Sequence, residues 1–384
     1  MKSKVKWGIR LAALLVVVTV VLTACGGAAT TAAPAATQAP AATEAPKEMT
    51  KIKLQLQWVV QSQFAGYFAA VDQGFYKDEG LDVTILQGAV DIVPQQVLAS
   101  GQADFALSWV PKALVSREQG AKIVDIAQVF QRSGTLEVSW KDSNIGKPED
   151  WKGKKVGTWG FGNEFELTAA MVKAGLDPQK DVTIVQQPFD MSLLLNREID
   201  AAEAMTYNEY AQVLEQKNPK TGELYKPEDL TVINFNDVGT AMLQDAVWAR
   251  EDWLSDAKNQ DIAKRFLRAS YRGWIYCRDQ FDGCVNVVLK NGPTLGKGHM
   301  TWQLNEINKL IWPSPAGIGV MDKKLWDQTV QVATSQKVIT TAPDAGAYRT
   351  DLAEAAVKDL EGQGADVKGA GYTPKQVQIT AGGE

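Results

Sequence analysis

The chain is poor in the side chains on which most catalytic and metal sites depend. Its 384 residues include one histidine, His299, and three cysteines. With so few of these groups, a zinc cluster, a Ser-His-Asp triad or a Cys-His pair is not expected, and we expect no metal, no cofactor and no catalytic residue. The run Gly160-Phe161-Gly162 also lacks the glycine spacing of a dinucleotide-binding fingerprint, so it does not predict a nucleotide phosphate loop.

Long hydrophobic runs and excess positive charge are also lacking beyond the first residues. Leu11 to Ala24 is uncharged but too short for a typical membrane-spanning helix, and it follows Lys2, Lys4, Lys6 and Arg10. The formal net charge of the whole chain is −5, and it becomes more negative once this basic segment is removed. An acidic chain argues against nucleic acid as a partner.

The N-terminal segment has the features of a lipoprotein leader. Leu22-Thr23-Ala24-Cys25-Gly26 resembles a bacterial lipobox, which predicts a signal peptide over 1–24, cleavage before Cys25 and a lipid on that cysteine. An ordinary signal peptide with a chance cysteine is the alternative. Residues 25–50 hold almost no large apolar side chain, so they predict a flexible tether. We therefore expect an extracytoplasmic protein anchored to the cell membrane.

Two further cysteines remain, and they lie close together. Cys277 and Cys284 are separated by six residues. Outside the cytoplasm, an even number of cysteines at short spacing predicts a disulfide bond. Two free, buried thiols are the alternative.

The length of the chain and its alternating pattern predict two α/β lobes. The chain is longer than a typical single domain, and its first part reads as strands alternating with helices, which favours a parallel sheet flanked by helices. We expect a discontinuous first lobe over 51–141 and 241–362, a second lobe over 142–240, and a loosely ordered tail over 363–384.

Four loops that follow strands and precede helices are the candidate binding surface, because ligands bind at this place in open α/β sheets. Each combines aromatic rings with amides, hydroxyls or carboxylates, and none contains Lys or Arg. That composition suits a flat, uncharged heterocycle better than a sulfonate or phosphate. Any of the aromatic rings could instead belong to the core. The candidates are Trp58, Gln63, Ser108, Trp109, Trp159, Phe161, Asn163, Glu164, Tyr207 and Glu209, with Tyr67 on the helix after the first loop.

Three segments resemble the sulfonate/thiamine-precursor group of ABC-transporter solute-binding proteins. They are Gly66-Tyr67-Phe68-Ala69-Ala70, the run from Gln73 to Val83, and the run from Leu98 to Phe105, and the similarity extends over about 51–340. The resemblance implies a two-lobed, type II periplasmic-binding-protein-like fold with the ligand in the cleft between the lobes. It also implies docking on an ABC permease with its ATPase subunits.

The resemblance is nearest to proteins that bind thiamine pyrimidine precursors and to relatives that bind riboflavin. The surplus of aromatic rings favours the three fused rings of riboflavin over the single ring of hydroxymethyl- or formyl-aminopyrimidine. The family also includes a pyrimidine synthase with an active-site histidine and a cysteine-rich motif. This chain has no cysteine cluster and its His299 is distant in sequence from the four loops, so we expect a monomeric binding protein rather than an enzyme. A tethered sensor or adhesin domain is a further alternative.

Overall fold

The computed structural model of the protein describes residues 48–89 and 91–384. The predicted signal peptide, Cys25 and most of the tether lie outside the described residues. The strands of the described part are β1 (Thr50–Gln55), β2 (Leu81–Leu86), β3 (Phe105–Ser108), β4 (Ile123–Gln128), β5 (Thr135–Trp140), β6 (Lys155–Thr158), β7 (Thr183–Gln186), β8 (Ala201–Met205), β9 (Leu230–Asn234) and β10 (Ala246–Arg250).

Helices cover the faces of the sheets and form most of the chain after β10. They are α1 (Ala65–Asp72), α2 (Phe75–Asp78), α3 (Pro94–Ala99), α4 (Val110–Glu118), α5 (Phe165–Lys173), α6 (Ser192–Leu195), α7 (Glu209–Leu214), α8 (Phe235–Val238), α9 (Glu251–Leu254), α10 (Ala257–Asp279), α11 (Phe281–Asn291), α12 (Lys297–Ile311), α13 (Lys323–Ser335) and α14 (Asp351–Gly362).

The strands form two five-stranded sheets, one in each lobe. The first has the order β2-β1-β3-β10-β4 and the second the order β7-β6-β8-β5-β9. In each sheet one strand runs against the others: β10 is antiparallel to β3 and β4, and β5 is antiparallel to β8 and β9. These two strands belong to the segments in which the chain crosses between the lobes. The predicted two-lobed α/β fold is confirmed.

The predicted lobe boundary after residue 141 is wrong. Strand β5 belongs to the second sheet, where Thr135 lies opposite Met205 and Trp140 lies opposite Leu230. The first crossing therefore takes place between the end of β4 and Thr135. Sequence reasoning placed the boundary too late because a crossing strand has the same apolar pattern whichever sheet it joins.

The core of the first lobe is centred on the contact between α1 and α10. Gly66 and Gly273 let the two helices approach closely, since a methyl group at Gly273 would collide with the carbonyl oxygen of Gly66. Tyr67 is only 2 % exposed, and its ring meets Trp274 edge-on with centroids 5.7 Å apart. The prediction that Tyr67 is part of the binding surface is therefore wrong, because this face of α1 is buried against α10.

The predicted disulfide is confirmed. It joins Cys277 near the end of α10 to Cys284 on α11, with the two Cα atoms 4.9 Å apart. Both residues are fully buried. The bond holds the corner between two helices of the first lobe.

The predicted tail over 363–384 contacts the rest of the fold at several points, although most of its residues are exposed or half-buried. Val367 is 1 % exposed, and the backbone N–H of Gly382 donates a hydrogen bond of 3.0 Å to the carbonyl oxygen of Glu215. This segment lies against the start of α12. Because this segment consists largely of glycines and small residues, its hydrophobic periodicity did not predict these contacts. Among the described residues, no helix combines the length and apolarity that crossing a membrane requires.

Candidate functional site

A cleft of about 490 Å³ lies between the two lobes, where strands β1, β3, β6 and β8 end. All four predicted loops contribute to it, because the carboxyl ends of both sheets face the same gap. The predicted residues that line it are Trp58, Gln63, Ser108, Trp109, Trp159, Phe161, Asn163, Tyr207 and Glu209. The expectation that ligands bind beyond the carboxyl ends of the strands therefore located the cleft correctly. Contact of these residues with a ligand stays a prediction.

Glu164, in contrast, does not line the cleft. Its Oε2 accepts a hydrogen bond of 2.9 Å from the backbone N–H of Gly162, so the carboxylate is used to hold its own loop. The prediction of ligand contact for Glu164 is corrected on this ground. A carboxylate at a helix start commonly turns back to unpaired backbone N–H groups in this way.

Aromatic rings from both lobes form the walls of the cleft. Trp58 of the first lobe and Phe189 of the second have ring centroids 4.9 Å apart. Phe161 is 74 % exposed and, like both neighbouring glycines, has a positive φ, so this loop carries its ring out to the rim. Sequence reasoning did not propose Phe189 as a ligand-binding residue, although it also follows a strand end, that of β7.

A buried carboxylate behind the cleft orients three of the polar side chains near it. Asp245 accepts hydrogen bonds from Nε2 of Gln57, from Nε2 of Gln63 at 2.9 Å and from Nε1 of Trp109 at 2.9 Å. Burial raises the pKa of Asp245 to about 7, and the bonds from Gln63, Trp109 and Gln57 oppose that rise. Sequence reasoning missed Asp245 because it immediately precedes β10 rather than following a strand.

The cleft also contains one ammonium group that the four loops did not reveal. Lys112, in the first turn of α4, donates from Nζ to Oδ1 of Asn163 at 2.8 Å, and this bond connects the two lobes. Its Nζ also lies 4.9 Å from the centre of the Trp109 ring. Burial lowers the pKa of Lys112 to about 8, and the nearby carboxylates of Glu203, Glu164 and Asp245 act in the opposite direction.

A second buried carboxylate fixes the Trp159 loop. Glu203 accepts hydrogen bonds from Oγ1 of Thr158 at 2.6 Å and from the backbone N–H of Trp159 at 3.0 Å. Burial raises the pKa of Glu203 to about 7. Glu137 lies directly opposite on β5, so the sheet beneath this loop contains two facing acids.

The loop from Tyr207 to Glu209 is bonded within the second lobe and also to His299 of the first lobe. Glu209 accepts hydrogen bonds from the N–H of Met205 at 2.9 Å and from Nδ2 of Asn208 at 2.6 Å. The ring of His299 lies 2.8 Å from Oδ1 of Asn208 and 2.7 Å from Oε1 of Glu215. His299 is therefore next to this corner in space, contrary to what its distance in the sequence suggested.

Two residues of the cleft carry buried polar atoms that have no hydrogen-bond partner within the described part of the chain. One is a donor, Nε1 of Trp159, and the other an acceptor, Oε1 of Gln95. Buried polar atoms are nearly always paired, so both atoms are expected to have a partner that the described residues do not supply. The same described residues contain no group of three or more His, Cys, Asp or Glu side chains arranged to hold a metal ion.

Two known proteins are similar in sequence to this chain over most of its length. The riboflavin-binding protein RibY of Chloroflexus aurantiacus is 23% identical over 347 residues, which is 88% of this chain and 95% of that protein. The formylaminopyrimidine-binding protein of Halalkalibacterium halodurans is 22% identical over 241 residues, covering 62% and 70% of the two chains.

Comparison with solved structures bears on the fold. The periplasmic sulfonate-binding protein SsuA of Methylobacillus flagellatus superposes with a TM-score of 0.59 at 16% identity, over 87% of this chain and 99% of that one. At this identity the match bears on the fold alone, which is that of a two-lobed periplasmic solute-binding protein. The family model described as NMT1/THI5 like matches residues 61–282, more than half of the chain, and the protein therefore belongs to the NMT1/THI5-like family.

Proposed function

We propose that the protein is the extracytoplasmic substrate-binding lipoprotein of an ABC importer and that it captures an uncharged aromatic heterocycle, with riboflavin as the favoured ligand. The observation that carries this proposal is the set of aromatic rings that face one cleft from both lobes. Trp58 and Trp109 come from the first lobe, and Trp159, Phe161 and Tyr207 from the second. Planar rings bind between such walls by stacking.

The charges of the cleft support an uncharged ligand. The ammonium of Lys112 is bonded to Asn163, the carboxylate of Asp245 accepts three bonds, and that of Glu209 accepts two. Both carboxylates are thus engaged by protein groups, and the ammonium uses one of its three N–H donors on Asn163. A sulfonate or phosphate usually recruits an arginine fork or a free cation, and the cleft lining contains no arginine among the residues that the structure describes.

The size of the cleft supports a ligand of several rings. Small-molecule sites have volumes of roughly 300–1,000 Å³, and the 490 Å³ of this cleft falls within that range. A single pyrimidine ring would leave several of the aromatic walls without a stacking partner. Three fused rings would meet rings from both lobes at once.

A thiamine pyrimidine precursor, formyl- or hydroxymethyl-aminopyrimidine, is the second candidate. It is supported by the similarity to the formylaminopyrimidine-binding protein. We do not propose a pyrimidine synthase, because the chain has only three cysteines and both nitrogens of its single histidine are bonded to protein groups beside the cleft.

In the proposed mechanism the two lobes close on the ligand and present it to a membrane permease. Two contacts already cross the cleft, the Trp58–Phe189 ring pair and the Lys112–Asn163 hydrogen bond. A ring inserted beside them would be sandwiched between the lobes. The lipid on Cys25 and the tether would keep the loaded protein near the membrane.

The proposal is tested by titrating the protein with riboflavin while following flavin fluorescence, which stacking on Trp or Tyr quenches. We expect saturable quenching at micromolar concentrations. Trp159→Ala should weaken binding roughly tenfold, since stacking of a base-like ring contributes on the order of 1–3 kcal/mol. The matched control is Trp253→Phe, because Trp253 packs on Phe105 in the first lobe and does not line the cleft.

Competition by the two aminopyrimidines decides between the candidates. If riboflavin does not bind at micromolar concentrations and an aminopyrimidine does, the second candidate replaces the first. If neither class binds, the proposal of a heterocycle-binding protein fails.

A further inference from the structure

The chain passes between the lobes in two segments, which we call the first crossing (129–134) and the second crossing (239–245). The first lies between the end of β4 and the start of β5, and the second between the end of α8 and the start of β10. Because these segments join the lobes covalently, their backbone must absorb any rotation of one lobe against the other. The hydrogen bonds of each segment therefore show where the chain can turn.

In the first crossing, the change of lobe occurs between Arg132 and Ser133. The guanidinium of Arg132 donates to the carbonyl oxygens of Leu310 at 3.3 Å and Pro313 at 3.1 Å, in and after α12 of the first lobe. Ser133 is bonded to α8 of the second lobe. Its N–H donates to Oδ1 of Asn236 at 3.2 Å, and its carbonyl oxygen accepts from Nδ2 of the same side chain at 2.8 Å. Two neighbouring residues are thus bonded to different lobes.

In the second crossing, the change of lobe occurs at Met242. Its N–H donates to Oε1 of Glu166 on α5 of the second lobe at 2.8 Å. The next N–H, that of Leu243, donates at 2.9 Å to Oγ1 of Thr329 on α13, a helix that packs on α4 of the first lobe. The carbonyl oxygen just before Met242 also accepts from Gln328 of α13 at 2.8 Å. The backbone therefore changes lobe within one residue of Met242.

The carboxyl group of Glu166 connects these two turning points. One oxygen accepts from the N–H of Met242, and the other accepts from Oγ of Ser133 at 2.8 Å. Glu166 is only 4% exposed, so water competes little for these bonds. Both contacts are possible in either protonation state, because a protonated carboxyl can donate to the Ser133 hydroxyl while its other oxygen still accepts from Met242.

Gln244 makes a second connection between the crossings, in the opposite direction. It belongs to the second crossing, and its Oε1 accepts from the N–H of Gly134 at 2.9 Å while its Nε2 donates to Oγ1 of Thr135 at 2.7 Å. A backbone N–H can only donate, so the orientation of this amide is fixed. The side chain is 1% exposed. Each crossing therefore bonds to the other through a buried side chain.

The second crossing ends at the polar wall of the cleft. Asp245 follows Gln244 and accepts hydrogen bonds from Gln63 and Trp109, which both line the cleft. Its φ of 45° is uncommon for a residue other than glycine and persists only where the surroundings determine the backbone. A turn of the second crossing therefore displaces the carboxylate that orients two side chains of the cleft.

We propose that Glu166 and Gln244 are positioning residues for the closure of the cleft. They tie the two crossings together, so that both turning points move as one hinge and the lobes approach each other along a single path. The coupling needs both ties. When either is lost, each crossing turns separately, the lobes twist as well as close, and the aromatic walls hold the ligand less firmly. This inference rests on the proposed function, in which the lobes close on a heterocycle.

The first experiment needs no ligand. Amide hydrogen exchange is followed residue by residue in the wild type, in Glu166→Ala and in Gln244→Ala, since exchange reports local opening. Glu166→Ala leaves the bond from Gly134 to Gln244 in place, and Gln244→Ala leaves the bond from Met242 to Glu166 in place. In a single hinge, each substitution should speed the exchange of both N–H groups, those of Gly134 and Met242, by roughly tenfold. A faster rate only at the N–H whose own partner was removed would overturn the proposal.

Two further variants separate this coupling from a general loss of stability. Asp150→Ala is the matched control, because this carboxylate also accepts two hydrogen bonds, from the N–H groups of Gly146 and Lys147, but lies in the second lobe away from both crossings. It should leave the exchange at Gly134 and Met242 unchanged. Glu166→Gln can accept with its oxygen and donate with its amide, so it should keep both rates close to those of the wild type.

The second experiment measures how fast bound riboflavin leaves the protein, from the recovery of flavin fluorescence. Glu166→Ala and Gln244→Ala should each raise the dissociation rate roughly tenfold. In the double variant the rate should stay close to that of either single variant, because one substitution already separates the crossings. Effects that multiply, to roughly a hundredfold, would mean independent contributions and contradict a single hinge. A partly unfolded variant would instead show fewer binding sites with an unchanged rate.

The two experiments distinguish failure of this inference from failure of the function on which it rests. If an aminopyrimidine binds in place of riboflavin, the dissociation rates are measured with the aminopyrimidine. If neither ligand binds, the proposed function fails, and hydrogen exchange alone decides whether the two crossings open as one unit.

Discussion

Replacing Glu137 by glutamine should stabilise the protein at neutral pH. Glu137 is 1% exposed, lies opposite Glu203 between β5 and β8, and has no hydrogen-bond partner for either carboxylate oxygen among the described residues. Burial raises its pKa well above the usual 4.5, and the facing Glu203 adds to the rise. The folded protein therefore keeps a proton on this carboxyl that the unfolded chain releases.

The size of the stabilisation depends on how much free energy the uptake of this proton costs on folding. Above the unfolded pKa of 4.5, the folded state must take up a proton from solution, and each pH unit lowers the free energy of unfolding by about 1.4 kcal/mol. The loss continues until the pH reaches the folded-state pKa. Glutamine has nearly the same shape and is neutral at every pH, so Glu137→Gln avoids this loss.

The assay is urea-induced unfolding of both proteins at pH 5, 6 and 7. The advantage of Glu137→Gln should be small at pH 5 and should grow as the pH rises, by at most about 1.4 kcal/mol per pH unit. Glu354→Gln, at an exposed position of α14, is the control and should change little. An advantage that is absent, or that is equal at all three pH values, would refute the assignment of a buried, protonated carboxyl.

Two other outcomes are expected. Lys112→Met removes the ammonium that bonds Asn163 across the cleft. Because this hydrogen bond contributes roughly 1 kcal/mol, its loss should weaken riboflavin binding about fivefold. Unchanged affinity would show that this bond does not support the ligand-bound form. Cys25→Ser removes the predicted lipid attachment site and should release the protein from membranes, and protein that stays with the membrane fraction after a high-salt wash would contradict the anchor.

The parts of the fold that local sequence determines were predicted. Alternation of Ile52 and Leu54 with exposed lysines marks β1, and loops after such strands must lie at the carboxyl edge of a parallel sheet. This rule was enough to bring nine candidates to one cleft. It failed for Tyr67 and Glu164, because helical spacing does not tell which face of α1 is covered and a loop carboxylate can bond to its own backbone.

The groups that organise the cleft could not be predicted from the sequence. Asp245 meets Trp109 across 136 residues of chain, and His299 meets Asn208 across 91. Such pairs leave no periodic or motif signal, since each side chain is ordinary in its own segment. Lys112 had a local signal, its position in the first helical turn after the Trp109 loop, but a search confined to loops passed over it.

The position of β10 in the first sheet has a consequence for the order in which the chain folds. Strand β10 lies between β3 and β4, and β4 pairs with no other strand in that sheet. All six residues of β4 are buried in the finished fold. Until the whole second lobe has left the ribosome or crossed the membrane, β4 has an unpaired apolar edge, which is prone to association with other chains. The sheet of the first lobe is therefore completed only after the whole second lobe has been synthesised.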